Sequence, residues 1–208
     1  MRRESANTEQ TLKTLSLIKK RWTTREFDHE KEISHENLAM LFEAARWTPS
    51  AYNEQPWNFI MVTRHELEQF QKMINLLKEG NKPWASKAFA LVLTVASLKT
   101  THSESDNFHA LYDLGASVAN LTLQATELNI TVNQVGGFYH DKAKDVFHLS
   151  ENYSPVSILA LGYDPDTESF EIRKKEKAAT RNRKSLGQFV FRNQWGNPFV
   201  TINDFQKN

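Results

Sequence analysis

The chain has 208 residues, enough for one domain with a substantial core, and is 39% apolar and 25% charged with a formal net charge of +1. That balance argues against a nucleic-acid grip or a polybasic membrane surface, and no apolar run approaches the ~20 residues that span a bilayer. There is no cysteine, which excludes disulfide and thiol chemistry, and residues 1–7 lack the apolar region of a secretory leader, so a cytoplasmic address is expected.

In chain order, the spacing of Leu12, Leu15 and Ile18 predicts a first helix over Thr8–Lys20, capped by Asn7 or Thr8. Thr23–Asp28 is too short and polar to be more than an extended link. Ser34 is placed to cap a second helix that carries Leu38, Leu41, Phe42 and Ala45 on one face and runs to Arg46. The turn Thr48-Pro-Ser-Ala-Tyr-Asn-Glu-Gln-Pro-Trp57 follows, then a strand at Phe59–Val62. A helix is expected over His65–Glu79, closed by Gly80. Ala88–Ala96 is apolar on both faces, as a central strand covered by helices should be.

Residues 97–107 are polar and predict a mobile loop that shapes a ligand pocket. Phe108–Leu128 mixes small and apolar residues nearly all round, which predicts a long helix buried on most sides and ended by Asn129. A strand ending in Val135-Gly136-Gly137, a short helix over His140–Phe147 and a strand over Val156–Gly162 complete the core. Residues 164–182 predict a surface link, and 183–208 a C-terminal extension in which Leu186, Phe189, Val190, Phe191 and Trp195 return. With no internal repeat, the pattern gives one domain over 1–208 of α+β class, an α/β sandwich.

The chemistry-bearing residues cluster in a few places. Pro49 and Pro56 bracket a turn that cannot continue the preceding helix. Ser50, Asn53 and Gln55 supply hydroxyl and carboxamide groups without net charge, suited to the edge of a flat heterocycle or to capping the local backbone. Arg21-Trp22-Thr23-Thr24-Arg25 offers two guanidinium forks and hydroxyls, the donor set of a phosphomonoester site, although such a run also suits a solvated helix end. Gly136-Gly137 leaves backbone open to a planar ligand or simply makes a tight turn. The histidines show no ligand spacing for a metal, and neither a Gly-x-Gly-x-x-Gly nor a Walker element is present.

The spacing Pro-Ser-x-x-Asn-x-Gln-Pro-Trp, with Arg-x-Thr-x-Arg some twenty-odd residues upstream, resembles the signature of the FMN-dependent nitroreductase family. The family has serine where Thr23 stands, and often a basic residue where Trp22 stands. The resemblance covers nearly the whole chain. It implies a mixed central sheet flanked by helices, a homodimer with the long central helix at its interface, and flavin sites shared between subunits. It assigns FMN contacts to Arg21, Trp22, Thr23, Arg25, Pro49, Ser50, Ala51, Asn53, Gln55, Asn81, Val135, Gly136, Gly137, Arg181 and Arg183, with the last two on the phosphate. The activity it implies is reduction of nitroaromatics, quinones or related small-molecule acceptors by NADH or NADPH in a ping-pong cycle, with no protein general acid, base or nucleophile. Relatives of the fold that dehalogenate, fragment the flavin or oxidise heterocycles, and an FMN storage or sensor protein without turnover, are the alternatives.

Overall fold

The computed structural model describes residues 14–199. They fall into two compact units, Leu15–Asp166 and a second made largely of the chain from Thr167 onward. No helix among the described residues is long and apolar enough to cross a membrane.

The first unit is a three-layer arrangement around four strands: β1 (Trp57–Thr63), β2 (Ala90–Ser97), β3 (Ile130–Val135) and β4 (Tyr153–Tyr163), in the order β1-β2-β4-β3. Strand periodicity explains the layers, because successive side chains point to opposite faces. On β2 and β4, Leu91, Leu93, Val95, Ile158 and Ala160 join one core with Phe70, Met73, Leu76 and Phe138. Ala90, Val92, Ala96, Leu159 and Leu161 join the other with Leu38, Leu41, Leu114 and Leu121. Helices α3 (Leu67–Leu76) and α6 (His140–Val146) cover the first face, and α2 (His35–Arg46) and α5 (Ala110–Glu127) the second. Both faces of β2 are thus covered, as its apolar run requires.

Every strand pairing among the described residues is antiparallel, where the family resemblance implied a mixed sheet. The parallel relation survives only between strands that do not touch. β2 and β3 run the same way across the α5 connection, but β4 lies between them and pairs antiparallel with each, a split β-α-β unit.

The element expectations hold with changes at the ends. Ser34 caps α2, its Oγ accepting from Asn37 N–H at 3.1 Å. The first helix, α1, is described over Ser16–Lys20, and its expected start and cap lie outside the described residues. α3 stops at Leu76 rather than Glu79 because the fully buried Leu77 turns extended and bridges Phe138. A 3-10 turn (Glu79–Asn81) and the four-residue helix α4 (Lys82–Ala85) follow. α5 begins two residues later than expected and ends where Asn129 takes φ 57°, a conformation asparagine tolerates better than most residues. Its buried hydroxyls bond back to its own carbonyls: Ser117 to Leu114, Thr122 to Val118, Thr126 to Thr122.

Two expectations are corrected. Residues 164–182 contain a helix, α7 (Glu168–Ala179), whose N-cap Thr167 accepts from Phe170 N–H at 3.3 Å. Its helical signal was masked by charge, since Phe170 alone among its residues is buried. Residues 97–107 are pinned rather than loose. Lys99 and Asp106 form both an antiparallel bridge and an ion pair of 2.6 Å, and Thr100 N–H donates to Ser105 O.

Gly162 on β4 abuts Phe27, where a Cβ would lie 2.7 Å from Cδ1 and 3.3 Å from Cγ. Phe27 is buried, so its ring has nowhere to retreat. Gly162→Ala should therefore lower stability by about 1–3 kcal/mol, whereas Gly136→Ala, which meets nothing, should stay within ~0.5 kcal/mol, both read from denaturant midpoints.

Candidate functional site

The residues singled out from sequence separate into three groups. The first gathers at the β3 edge of the sheet. Lys20 at the end of α1 donates to Asn129 Oδ1 at 2.9 Å, and four residues on, Thr24 O accepts from Asn133 Nδ2 at 2.5 Å. These two ties lay the Arg21–Arg25 segment along β3. Within it Arg21 Nη1 donates to Thr23 Oγ1 at 2.8 Å. Arg25 is exposed and makes no hydrogen bond among the described residues, its guanidinium resting 5.8 Å from the centre of the Trp84 ring. Trp84 also stacks on Phe27, with ring centres 6.4 Å apart. Trp22 is half-buried.

The same neighbourhood holds Asn81 and the end of β3. Gly137 O accepts from Asn81 Nδ2 at 3.1 Å and from Lys78 N–H at 2.9 Å. A Cβ on Gly137 would fall 2.7 Å from Asn81 Nδ2, so a side chain here would push the Asn81 carboxamide aside. Gly136 is exposed and a Cβ there would meet nothing, while Val135 is buried in the core.

The second group, Pro49–Gln55, stands at the opposite edge, where β1 begins. Ser50 Oγ accepts from Gln55 N–H at 2.9 Å, and Ala51 N–H donates to Oδ2 of Asp113 at 3.0 Å. Thr48 Oγ1 accepts from Asn120 Nδ2 at 2.7 Å. Tyr52, Asn53 and Gln55 all take positive φ, 53°, 58° and 48°. Each non-glycine residue held there costs roughly 1–2 kcal/mol, so the surrounding bonds must hold the turn in place. The exposed Asn53 carboxamide has no hydrogen-bonding partner among the described residues, and Gln55 Nε2 reaches only the Asn53 carbonyl.

The third group is Arg181 and Arg183, which belong to the second unit. Arg183 borders an open depression of about 360 Å³ with Asn182, Lys184 and Gln188, and its Nη1 donates to Asn182 O at 2.6 Å.

Two acidic residues absent from the sequence reading prove central. Asp113 is 4% exposed, and its bond to Ala51 fixes the turn on the first turn of α5. A lone Asp opening a helix gave no signal beyond dipole compensation. Glu54, between Asn53 and Gln55, has a side chain only 4% exposed and accepts from Thr101 N–H at 2.7 Å and Thr101 Oγ1 at 2.9 Å. Those bonds, with His102 nearby, hold its carboxyl below the ordinary glutamate range.

The two motif groups are far apart within one chain. β1 and β3 are separated by three strand spacings, about 14 Å. Along α5, Asp113 beside the turn and Asn129 beside Lys20 are about 24 Å apart at 1.5 Å per residue.

The nitroreductase family profile matches residues 18–163, most of the chain. The chain belongs to the nitroreductase family. An oxygen-insensitive NADPH nitroreductase of Helicobacter acinonychis is 39% identical over 153 residues, covering 72% of this chain and 68% of that protein. Its Helicobacter pylori (strain J99) counterpart is 38% identical with the same coverage. Among solved structures, an oxidoreductase containing FMN superposes with a TM-score of 0.80 at 25% identity, covering 94% of this chain and all of that one.

Replacing Asp113 with Ala leaves the Ala51 amide without its acceptor and a strained turn without its anchor. The expected cost is about 1–3 kcal/mol in chemical denaturation, together with faster hydrogen exchange at Ala51–Gln55 than elsewhere in the domain.

Proposed function

We propose that this chain reduces nitroaromatics, quinones or related acceptors with electrons from NADH or NADPH, working as a homodimer whose two flavin sites are each built from both subunits. It is an NAD(P)H-dependent oxidoreductase of the nitroreductase family with FMN as its cofactor. When bound, FMN supplies the two-electron chemistry, accepting from the nicotinamide and donating to the acceptor in alternating half-reactions.

The residues present fit that group by their donor chemistry. Arg21, Thr23 and Arg25 supply two guanidinium forks and a hydroxyl in five residues, matched to a phosphate dianion. The carrying observation is Arg25, a guanidinium held in place by an indole face with its N–H groups uncommitted to the described protein. Asn53 presents an equally uncommitted carboxamide, which we assign to the polar edge of the flavin ring with Ser50, Ala51 and Gln55. Asn81 and the 135–137 backbone are assigned to the side nearer the arginines, and Arg181 and Arg183 to the phosphate.

The separation of the two motif groups supports sharing between subunits. Ends of a helix about 24 Å apart cannot close together on one ring system, but the equivalent groups of two chains can. A surface for that second chain is available: Phe108, Leu111 and Tyr112 are 90%, 55% and 79% exposed and continue with Gly115 and Ala119 as a second stripe along α5. An exposed apolar stripe of this kind is the mark of an isologous interface.

The purified protein should release FMN and not FAD on denaturation and chromatography, and should oxidise NAD(P)H steadily with a nitro or quinone acceptor. A yellow protein that binds FMN without turnover would instead be a storage or sensor protein.

Arg183→Ala should weaken FMN binding at least tenfold in a fluorescence titration, about 1.4 kcal/mol, while Lys175→Ala changes little. Equal effects would place the phosphate elsewhere.

Sharing is tested by complementation. Arg21→Ala and Asn53→Ala homodimers each carry two damaged sites, whereas a mixed dimer has one intact site and one with both lesions. Co-expression with distinct tags and tandem purification should recover about half the wild-type activity per mixed dimer, given independent sites. Mixed dimers no more active than either parent would assign both residues to one chain's site.

A further inference from the structure

The loop at 98–107 is held to the flavin-binding turn through one side chain. Glu54 lies between Asn53 and Gln55, and its own backbone is right-handed (φ −66°, ψ −25°) while both neighbours are left-handed. Its carboxylate reaches the loop. There one oxygen, Oε2, receives both the amide and the hydroxyl of Thr101, and Oε1 lies 3.8 Å from His102 Nε2. The side chain is 4% exposed, so a carboxylate that would otherwise be solvated is committed to this contact.

The loop has its own internal order to transmit that contact. Lys99 and Asp106 pair across its neck, and the hydroxyls of Thr100, Ser103 and Ser105 bond one another at 2.8–3.2 Å. Its base is fixed by Leu98 N–H donating to Asn152 O and Asn107 N–H donating to Leu98 O. The loop is thus hydrogen-bonded at two places, its base to Asn152 beside β4 and Thr101 to Glu54. Lys99, Thr100, Thr101 and Glu104 of the loop, with Ser97, Asn152 and Tyr153, border an open depression of about 640 Å³, a volume suited to a small aromatic molecule.

We propose that Glu54 is a positioning residue that clamps the 98–107 loop onto the flavin-binding turn, so that the loop forms a fixed wall limiting the size of electron acceptor admitted. The inference rests on the assignment of Asn53 and Gln55 to the flavin. Glu54 itself touches neither cofactor nor acceptor; it acts through Thr101. The clamp tightens two things together, the strained turn on one side and the loop on the other. Its loss therefore loosens acceptor selection before it touches the arginine group at the far edge of the sheet.

The test uses full-length protein carrying Glu54→Ala, with Glu54→Gln and Thr101→Val as milder variants that keep part of the contact and guard against misfolding. Amide hydrogen exchange over residues 99–106 should rise about tenfold or more in Glu54→Ala and less in the other two, with the thermal midpoint little changed. In steady state with saturating NAD(P)H, kcat/KM for a bicyclic quinone relative to a monocyclic one should rise severalfold, through KM and not kcat. Unchanged exchange in the loop overturns the clamp. Raised exchange with an unchanged quinone ratio overturns its role in selecting acceptors. Should the wild-type protein reduce neither quinone, the proposed activity fails, and the exchange experiment on the same protein still decides whether Glu54 holds the loop.

Discussion

The hydrogen bond from Ala51 N–H to the buried Asp113 carboxylate is the joint on which the candidate site depends. It ties an irregular turn to α5, the longest helix among the described residues, which packs against the sheet face bearing Val92, Ala96 and Leu159. A turn with three left-handed non-glycine residues would relax in isolation. Here its backbone is fixed by Ser50 and Asp113, and Glu54 grips the loop beyond. With the backbone held by these residues, Asn53 is left with a carboxamide that has no hydrogen-bonding partner among the described residues. Rigid support for an uncommitted polar group is what a binding site requires, since a ligand then bears no cost of ordering it.

Much of the architecture was legible because burial writes itself into periodicity. Ala88–Ala96 announced a strand covered on both faces, and Ser34 announced its helix, because each signal is local. The failures share a different origin. Leu77 reads as the last apolar position of α3, and only its pairing with Phe138, 61 residues away, pulls it out of the helix. The antiparallel sheet was invisible for the same reason, since strand direction depends on where β4 inserts and not on the composition of any strand. α7 was missed because a helix with one buried residue carries almost no apolar period.

The candidate site was legible in its residue types and not in its supports. Arg21, Thr23, Arg25, Ser50 and Asn53 stand out because they fall on the two motifs that carry the family resemblance; taken alone, each also suits a cap or a solvated helix end. Asp113, Glu54, Asn133 and Trp84 do not stand out, since each acts through a partner distant in sequence: Ala51, Thr101, Thr24 and Arg25. Gly137, expected to leave backbone open to a planar ligand or to make a tight turn, also admits the close approach of Asn81. Sequence identifies groups that could meet a ligand; only the fold tells which are held still.

The geometry of the sheet gives a reason for the proposed second chain that is independent of any single contact. In a four-stranded antiparallel sheet the edge strands are the places where turns and links can present side chains without burial, and β1 and β3 are those edges. The chain spends its two chemistry-bearing segments there, one at each edge, with the two central strands β2 and β4 between them. A monomer can bring neither segment across β2 and β4 to the other. A two-fold axis crossing the exposed stripe of α5, not running along it, would set the first edge of one chain facing the second edge of its partner, twice over. The helix that separates the half-sites within a chain would then be the element that joins them between chains, and the polar turn fastened to its first turn by Asp113 would be carried into place by dimerisation itself.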